Sequence, residues 1–256
     1  RRRYSVNIEF FRWIQNFVVK RADAVVVPCK FTKRMLMNWG VKDKVIRLIH
    51  NGVNNEVLPI NLKDTLRSKL NLKDKLLVIT VARLIPLKGI DKLIRLLPEL
   101  RQDIILIIIG DGPERRNLDL ISDNLGVKER VIFTGNLKRQ ETFDYLRIAD
   151  LFVLYSDGES MPFSVLEAMV CGLPVVASKV GGISELIEDG KDGILVEPKD
   201  ILTLREAICN VLQDNTLRSK LISNAYEKVK KYTLNNMSEE TLRLFEDILN
   251  GSFNQV

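Results

Sequence analysis

The chain is expected to fold as an α/β protein on a doubly wound parallel sheet, and three observations carry that expectation. Six short apolar runs recur from about residue 76 onward. They are apolar throughout instead of alternating, as strands buried on both faces must be. The segments between them repeat apolar residues at helical spacing, so each strand is followed by a helix that can return the chain parallel.

The strand candidates are residues 76–82, 104–109, 131–133, 151–155, 174–177 and 194–196. Between them Ile90, Leu93, Ile94 and Leu97 mark one helix, and Leu204, Ile208, Val211 and Leu212 mark another. Three helical stretches close the chain near 200–213, 216–231 and 236–250, the last carrying an apolar stripe suited to docking. The first 50 residues read as a separate unit. Phe10, Phe11, Ile14, Phe17 and Val18 form a helical stripe, residues 24–27 a strand, 30–39 a helix ended by Gly40, and 45–49 a strand leading into Asn51-Gly52. That unit is too small to be a domain by itself.

Composition narrows the function. With 256 residues, 46% apolar and 28% charged, the chain is ordinary for a soluble protein. Its longest aliphatic run, 104–109, is far short of a membrane span. Cys29, Cys171 and Cys209 are widely spaced and lack a metal-ligand pattern, which suits reduced packing residues in the cytosol. Residues 1–50 hold 12 Lys and Arg against 3 Asp and Glu, whereas the other 206 hold 27 against 30. The acidic body and the lack of a recognisable binding module speak against nucleic acid. Two readings of the basic, aromatic start stay open: its stripe packs in a larger domain, or it rests as a peripheral contact on anionic lipid at the inner membrane face.

The richest stretch runs from Glu159 to Met169. Glu159 falls in a loop and Glu167 on the helix after it. Pro162 suits the first helical position, where its missing N–H costs nothing. The N–H groups of Phe163, Ser164 and Val165 then head the helix, where the dipole favours a phosphate. Glu159 can accept from hydroxyls on one side of that anion and Glu167 from hydroxyls on the other. Sugar hydroxyl, diphosphate and ribose hydroxyl, in that order, describe a nucleotide-sugar. The continuation through Gly172, Leu173 and Pro174 closes the helix and opens a buried strand. Together these residues resemble the signature of the family-four retaining glycosyltransferases of the GT-B fold.

The resemblance implies a Rossmann-like donor domain preceded by a remnant of an amino-terminal domain. It places residues 1–53 in the acceptor-side domain and linker, 54–235 in the donor domain, and 236–256 in a helix crossing back. It also implies roles. Arg83, which offers a planar fork, and Lys88, a point charge, follow the first sheet strand and match the family's cations on the donor diphosphate. Such cations stabilise the charge that grows as the diphosphate leaves. Arg83, Lys88 and Glu159 are thus the catalytic candidates. Glu167, Pro162, Phe163, Ser164, Val165, Gly112 and Leu137 are the donor-binding candidates. Gly112 belongs to Gly110-Asp111-Gly112, which lacks the third Gly of a dinucleotide fingerprint and reads first as a tight turn. Leu137 follows a Gly whose neighbouring main chain contacts the base in this family.

His50, the only histidine, falls in the linker and is not expected to be catalytic. The Gly181-Gly182 turn reads as a plain turn. No metal and no other cofactor is expected, the nucleoside-diphosphate sugar being a substrate. The acceptor is a glycan or a lipid-linked molecule, and the setting is polysaccharide or glycolipid biosynthesis. Glycan phosphorylase and epimerase readings lack their own signatures here. A non-catalytic or split-subunit nucleotide-sugar-binding module, with a partner supplying the rest of the amino-terminal domain, remains the alternative. The chain alone is expected to bind donor without transferring sugar.

Overall fold

The computed structural model, which describes residues 5–54, 67–68 and 70–251, is built on a parallel sheet of six strands. A smaller pair precedes it: β1 (Val25–Val27) lies parallel to β2 (Ile46–Leu48). The main strands are β3 (Leu76–Val81), β4 (Ile104–Ile109), β5 (Val131–Gly135), β6 (Leu151–Leu154), β7 (Val175–Ser178) and β8 (Ile194–Val196). Their order across the sheet is β5-β4-β3-β6-β7-β8. The chain therefore winds outward from β3 in one direction, returns to its other side at β6, and winds outward again. The reversal leaves a crevice between the carboxyl ends of β3 and β6, the place where such sheets bind ligands.

Both faces of the sheet are covered, as the unbroken apolar strands require. On one face Leu77, Ile79, Ile105 and Ile107 pack with α5 (Arg139–Ile148), α6 (Phe163–Val170) and α9 (Asn215–Val229). On the other, Val78, Leu106 and Ile108 pack with α3 (Ile90–Leu96), α4 (Arg115–Asn124) and α8 (Ile201–Gln213). All six residues of β4 are buried, because side chains alternate between two apolar layers and meet no solvent. The helices start where local chemistry says they should. Asp200, Asp214 and Thr233 each accept an N–H three residues on, at 3.0, 2.9 and 3.0 Å.

The first unit contains α1 (Ser5–Val19) and α2 (Lys30–Asn38) around a core of Val27, Leu36, Val41 and Ile46. Phe10, Trp13 and Phe17 follow one another along α1, with ring centroids 6.4 and 5.6 Å apart. Phe10 and Phe11 are 57% and 62% exposed, so this stripe finds little cover among the described residues. Two of the contacts that join the units lie near the end of the chain. Val53 donates its N–H to Tyr232 at 2.9 Å and accepts that of Leu234 at 3.1 Å. Just beyond, α10 (Leu234–Leu249) lays Leu244 against Ile49. No helix among the described residues is long and apolar enough to cross a membrane. Arg1 to Arg3, the last residues 252–256, and residues 55–66, with which the expected donor domain begins, lie outside the described residues.

Candidate functional site

Two loops meet at the crevice. The one after β3 turns through a short 3-10 segment, Pro86–Lys88, and leaves by Gly89 in the left-handed region at φ 59°. A Cβ at Gly89 would lie 2.2 Å from the Tyr155 carbonyl oxygen, so only glycine lets this loop reach the one after β6. The contact brings Lys88 onto Glu159, with which it forms an ion pair. Ser156 Oγ donates to the same carboxylate oxygen at 2.7 Å. Glu159 keeps only 8% of its side chain exposed and Lys88 20%, so the pair is largely withdrawn from water.

Glu159 is held through its main chain as well. Asn51 Nδ2 donates to the Met161 carbonyl at 2.7 Å, and Gly182 donates its N–H to the Glu159 carbonyl at 3.2 Å. Pro162 is not the first helical residue. Its ψ of 124° is extended and makes it the N-cap, because the chain must still turn out of the Glu159 loop. Phe163 to Val165 are consequently the first three helical residues, whose N–H groups have no acceptor within the helix. The Val165 side chain is fully buried, so only its main chain faces the site, whereas Phe163 is exposed.

Glu167 lies one turn further on, half-buried. Burial holds its carboxyl above the ordinary carboxylate range, and the Arg139 guanidinium offsets part of that rise. No side chain among the described residues donates to it, and a desolvated carboxylate of that kind is suited to accept hydrogen bonds from a ligand. Arg139 was not foreseen from the sequence, since nothing local links the start of α5 to α6.

A cleft of about 430 Å³ is lined by Val81, Ala82, Arg83, Ile109, Gly110, Asp111, Asn136, Leu137 and Thr142, and neither the Lys88–Glu159 pair nor Glu167 is among its walls. It lies over the carboxyl ends of β3, β4 and β5. Arg83 is exposed there and pairs with no carboxylate among the described residues. Leu137 lines the cleft, and Gly112 does not. A Cβ at Gly112 would stand 2.4 Å from the Leu84 carbonyl, and Leu84 donates to the Asp111 carbonyl at 3.0 Å. Gly112 thus secures close packing of two loops, the tight-turn reading. His50 lies in the linker, its Nδ1–H donating to the Pro28 carbonyl at 2.8 Å and its ring edge-on to Tyr232. Among the described residues no three His, Cys, Asp or Glu side chains converge as a metal cage.

Known proteins resemble this chain in sequence and in fold. The family described as Glycosyl transferases group 1 matches residues 63–228, and Glycosyltransferase Family 4 matches residues 2–57. A GDP-mannose-dependent alpha-(1-6)-phosphatidylinositol monomannoside mannosyltransferase of Mycolicibacterium smegmatis is 37% identical over 205 residues, 75% of this chain and 54% of that protein. A D-inositol 3-phosphate glycosyltransferase of Acidothermus cellulolyticus is 31% identical over 247 residues, 91% of this chain and 55% of that protein. The chain thus spans about half the length of these relatives. Among solved structures, Anabaena Alr3699/HepE in complex with UDP-glucose superposes with a TM-score of 0.86 at 24% identity, over 91% of this chain and 66% of that one. Sucrose-phosphate synthase of Thermosynechococcus elongatus gives 0.85 at 27% identity, over 94% and 62%. A GT-B donor fold, with a cation and a carboxylate meeting at its switch point, and a family match over most of the length lead to one assignment: the chain belongs to the group 1 glycosyl transferases.

Proposed function

We propose that the chain is the donor-binding part of a retaining glycosyltransferase that takes a nucleoside-diphosphate sugar and moves its sugar to a glycan or lipid-linked acceptor. The observation that carries this reading is the meeting of Lys88 and Glu159 at the switch point, beside the open start of α6 and the half-buried Glu167. Arg83, Lys88 and the N–H groups of Phe163 to Val165 supply positive potential for a departing diphosphate. Glu159 accepts from a sugar hydroxyl and Glu167 from the ribose. The retaining outcome rests on the resemblance of the Glu159 to Glu167 stretch to that family. A second reading, a nucleotide-sugar-binding module acting with another polypeptide, is favoured by the exposed aromatic stripe of α1. Under either reading the isolated chain binds donor but transfers sugar poorly, because catalysis needs an acceptor hydroxyl held at attacking distance.

Calorimetry in chelator, with uridine and guanosine diphosphates and their glucose and mannose conjugates, tests the assignment. Glu167→Ala should weaken a bare diphosphate by about 1–3 kcal/mol, the cost of a buried group left unpaired. Glu159→Ala should matter mainly once the sugar is attached. Equal losses for both variants on bare nucleotide would contradict the two roles. Repeating the titration at falling pH adds a signature. The carboxyl of Glu167 protonates above the usual Glu range, so it stops accepting from the ribose while exposed carboxylates are still ionised. Affinity should decline on acidification through that window, and Glu167→Gln should remove the decline. The linkage to stability has the opposite sign: the native state binds the proton more tightly than the unfolded one, so this group's contribution becomes less favourable as pH rises through the window.

A further inference from the structure

Glu185 sits on α7 (Ile183–Leu186), directly after the Gly181-Gly182 turn, and its carboxylate reaches out of the donor domain. Oε2 accepts the backbone N–H of Lys30 at 2.8 Å, and Oε1 accepts that of Phe31 at 2.6 Å. These are the first two N–H groups of α2, whose own N-cap, Cys29, provides no side-chain acceptor. A carboxylate there satisfies two orphan donors and meets the positive end of the helix dipole. Glu185 thus caps, from more than 150 residues away, a helix of the other unit.

The same turn bears on Glu159. A Cβ at Gly181 would stand 1.8 Å from the Glu159 carbonyl oxygen, and one at Gly182 1.8 Å from that of Ser160 and 2.7 Å from Cys29 Sγ. No side chain fits between these backbones. The start of α2, the glycine turn and the Glu159 loop therefore form one continuous stack, fastened to α2 by Glu185 and to the β3 loop by Lys88.

We propose that Glu185 is a positioning residue. By capping α2 it keeps the glycine turn seated on the Glu159 backbone, and so holds the Glu159 carboxylate where a sugar hydroxyl can meet it. Docking of the first unit is thereby coupled to recognition of the sugar and not of the nucleotide. The sugar half of this statement rests on the donor-site reading above, whereas the mechanical half does not.

The experiment uses the whole chain with Glu185→Ala and Glu185→Gln. Without ligand, the Gly182 amide, followed by hydrogen exchange and NMR, should exchange about tenfold faster in Glu185→Ala while the amides of β3, β4 and β6 keep their protection. An unchanged Gly182 amide overturns the coupling whether or not any nucleotide binds. With ligand, Glu185→Ala should weaken UDP-glucose or GDP-mannose about tenfold, the loss of one good hydrogen bond, and leave the matching diphosphate unchanged. Equal weakening of both marks a general defect and overturns the positioning role. Glu185→Gln keeps the shape and one acceptor oxygen, so its loss should be intermediate, and it carries the test if the alanine variant fails to fold. A wild-type chain that binds no nucleotide overturns the proposed function, and the exchange result still decides the coupling.

Discussion

Replacing Lys88 by alanine is expected to lower folding stability by about 2–3 kcal/mol, read as a shift in urea midpoint at constant slope. The size follows from what is left behind. Glu159 is 8% exposed, and its carboxylate would keep only the Ser156 hydroxyl as a side-chain donor. A charge withdrawn from water without its counter-charge is far costlier than an exposed one, and Lys88, 20% exposed, cannot be replaced by solvent without rearrangement. Removing the charge at both ends should undo most of the damage. Lys88→Ala combined with Glu159→Gln is expected to recover at least about 1 kcal/mol relative to Lys88→Ala alone, a coupling ordinary for neighbours in contact. If Lys88→Ala proves as stable as the wild type, the pair is not withdrawn from water in solution and the electrostatic argument for the site loses its anchor.

The second large effect concerns Arg83. Arg83→Ala should weaken nucleoside-diphosphate binding by about 3 kcal/mol, or roughly a hundredfold, in calorimetry at low salt. Arg83 lines the cleft, is exposed, and faces no carboxylate partner among the described residues, so its fork is available to a diphosphate. Lysine keeps the charge but loses the two parallel N–H donors, so Arg83→Lys should restore only part of the affinity. Full recovery by lysine would mean that a point charge suffices and that the fork does not grip the phosphates. No change in either variant would remove Arg83 from the donor site.

The sheet was legible because its strands announce themselves one by one. Ile104 to Ile109 can be nothing but a strand buried on both faces, and its neighbours repeat the signal. Ser178 at the end of β7 escaped, and so did the end of β5, since Thr134 and Gly135 carry no apolar mark. They continue the strand because Gly135, at φ 70°, accepts the Gly110 N–H at 2.9 Å. In the site, what could be read lies close together along the chain: a loop carboxylate, a proline, a helix start and a second carboxylate. What could not be read depends on distant partners. Asn51 reaches Met161 and Glu185 reaches Lys30 across more than 100 residues, and neither pairing leaves a pattern in a single sequence. The Gly181-Gly182 turn shows the same limit. Two adjacent glycines signal a turn, but the carbonyls that exclude any side chain there belong to a loop some 20 residues earlier.

The strand-like contact of Val53 with Thr233 also sets a schedule for biosynthesis. At ribosomal speeds of roughly 5–20 residues per second, the intervening stretch takes on the order of 10–40 s to appear. Throughout that interval Val53 lacks its neighbour and Ile49 lacks Leu244, while the large sheet closes within residues 76–196. A chain ending at residue 231 should therefore protect β3 to β8 from protease and leave residues near 49–54 open to cutting. Protection of that linker in the shortened chain would show that the later contact is dispensable. The stretch around Val53 is thus made well before the residues that complete it, and a chain released near residue 231 would carry a closed six-stranded sheet beside a smaller unit still missing its clasp.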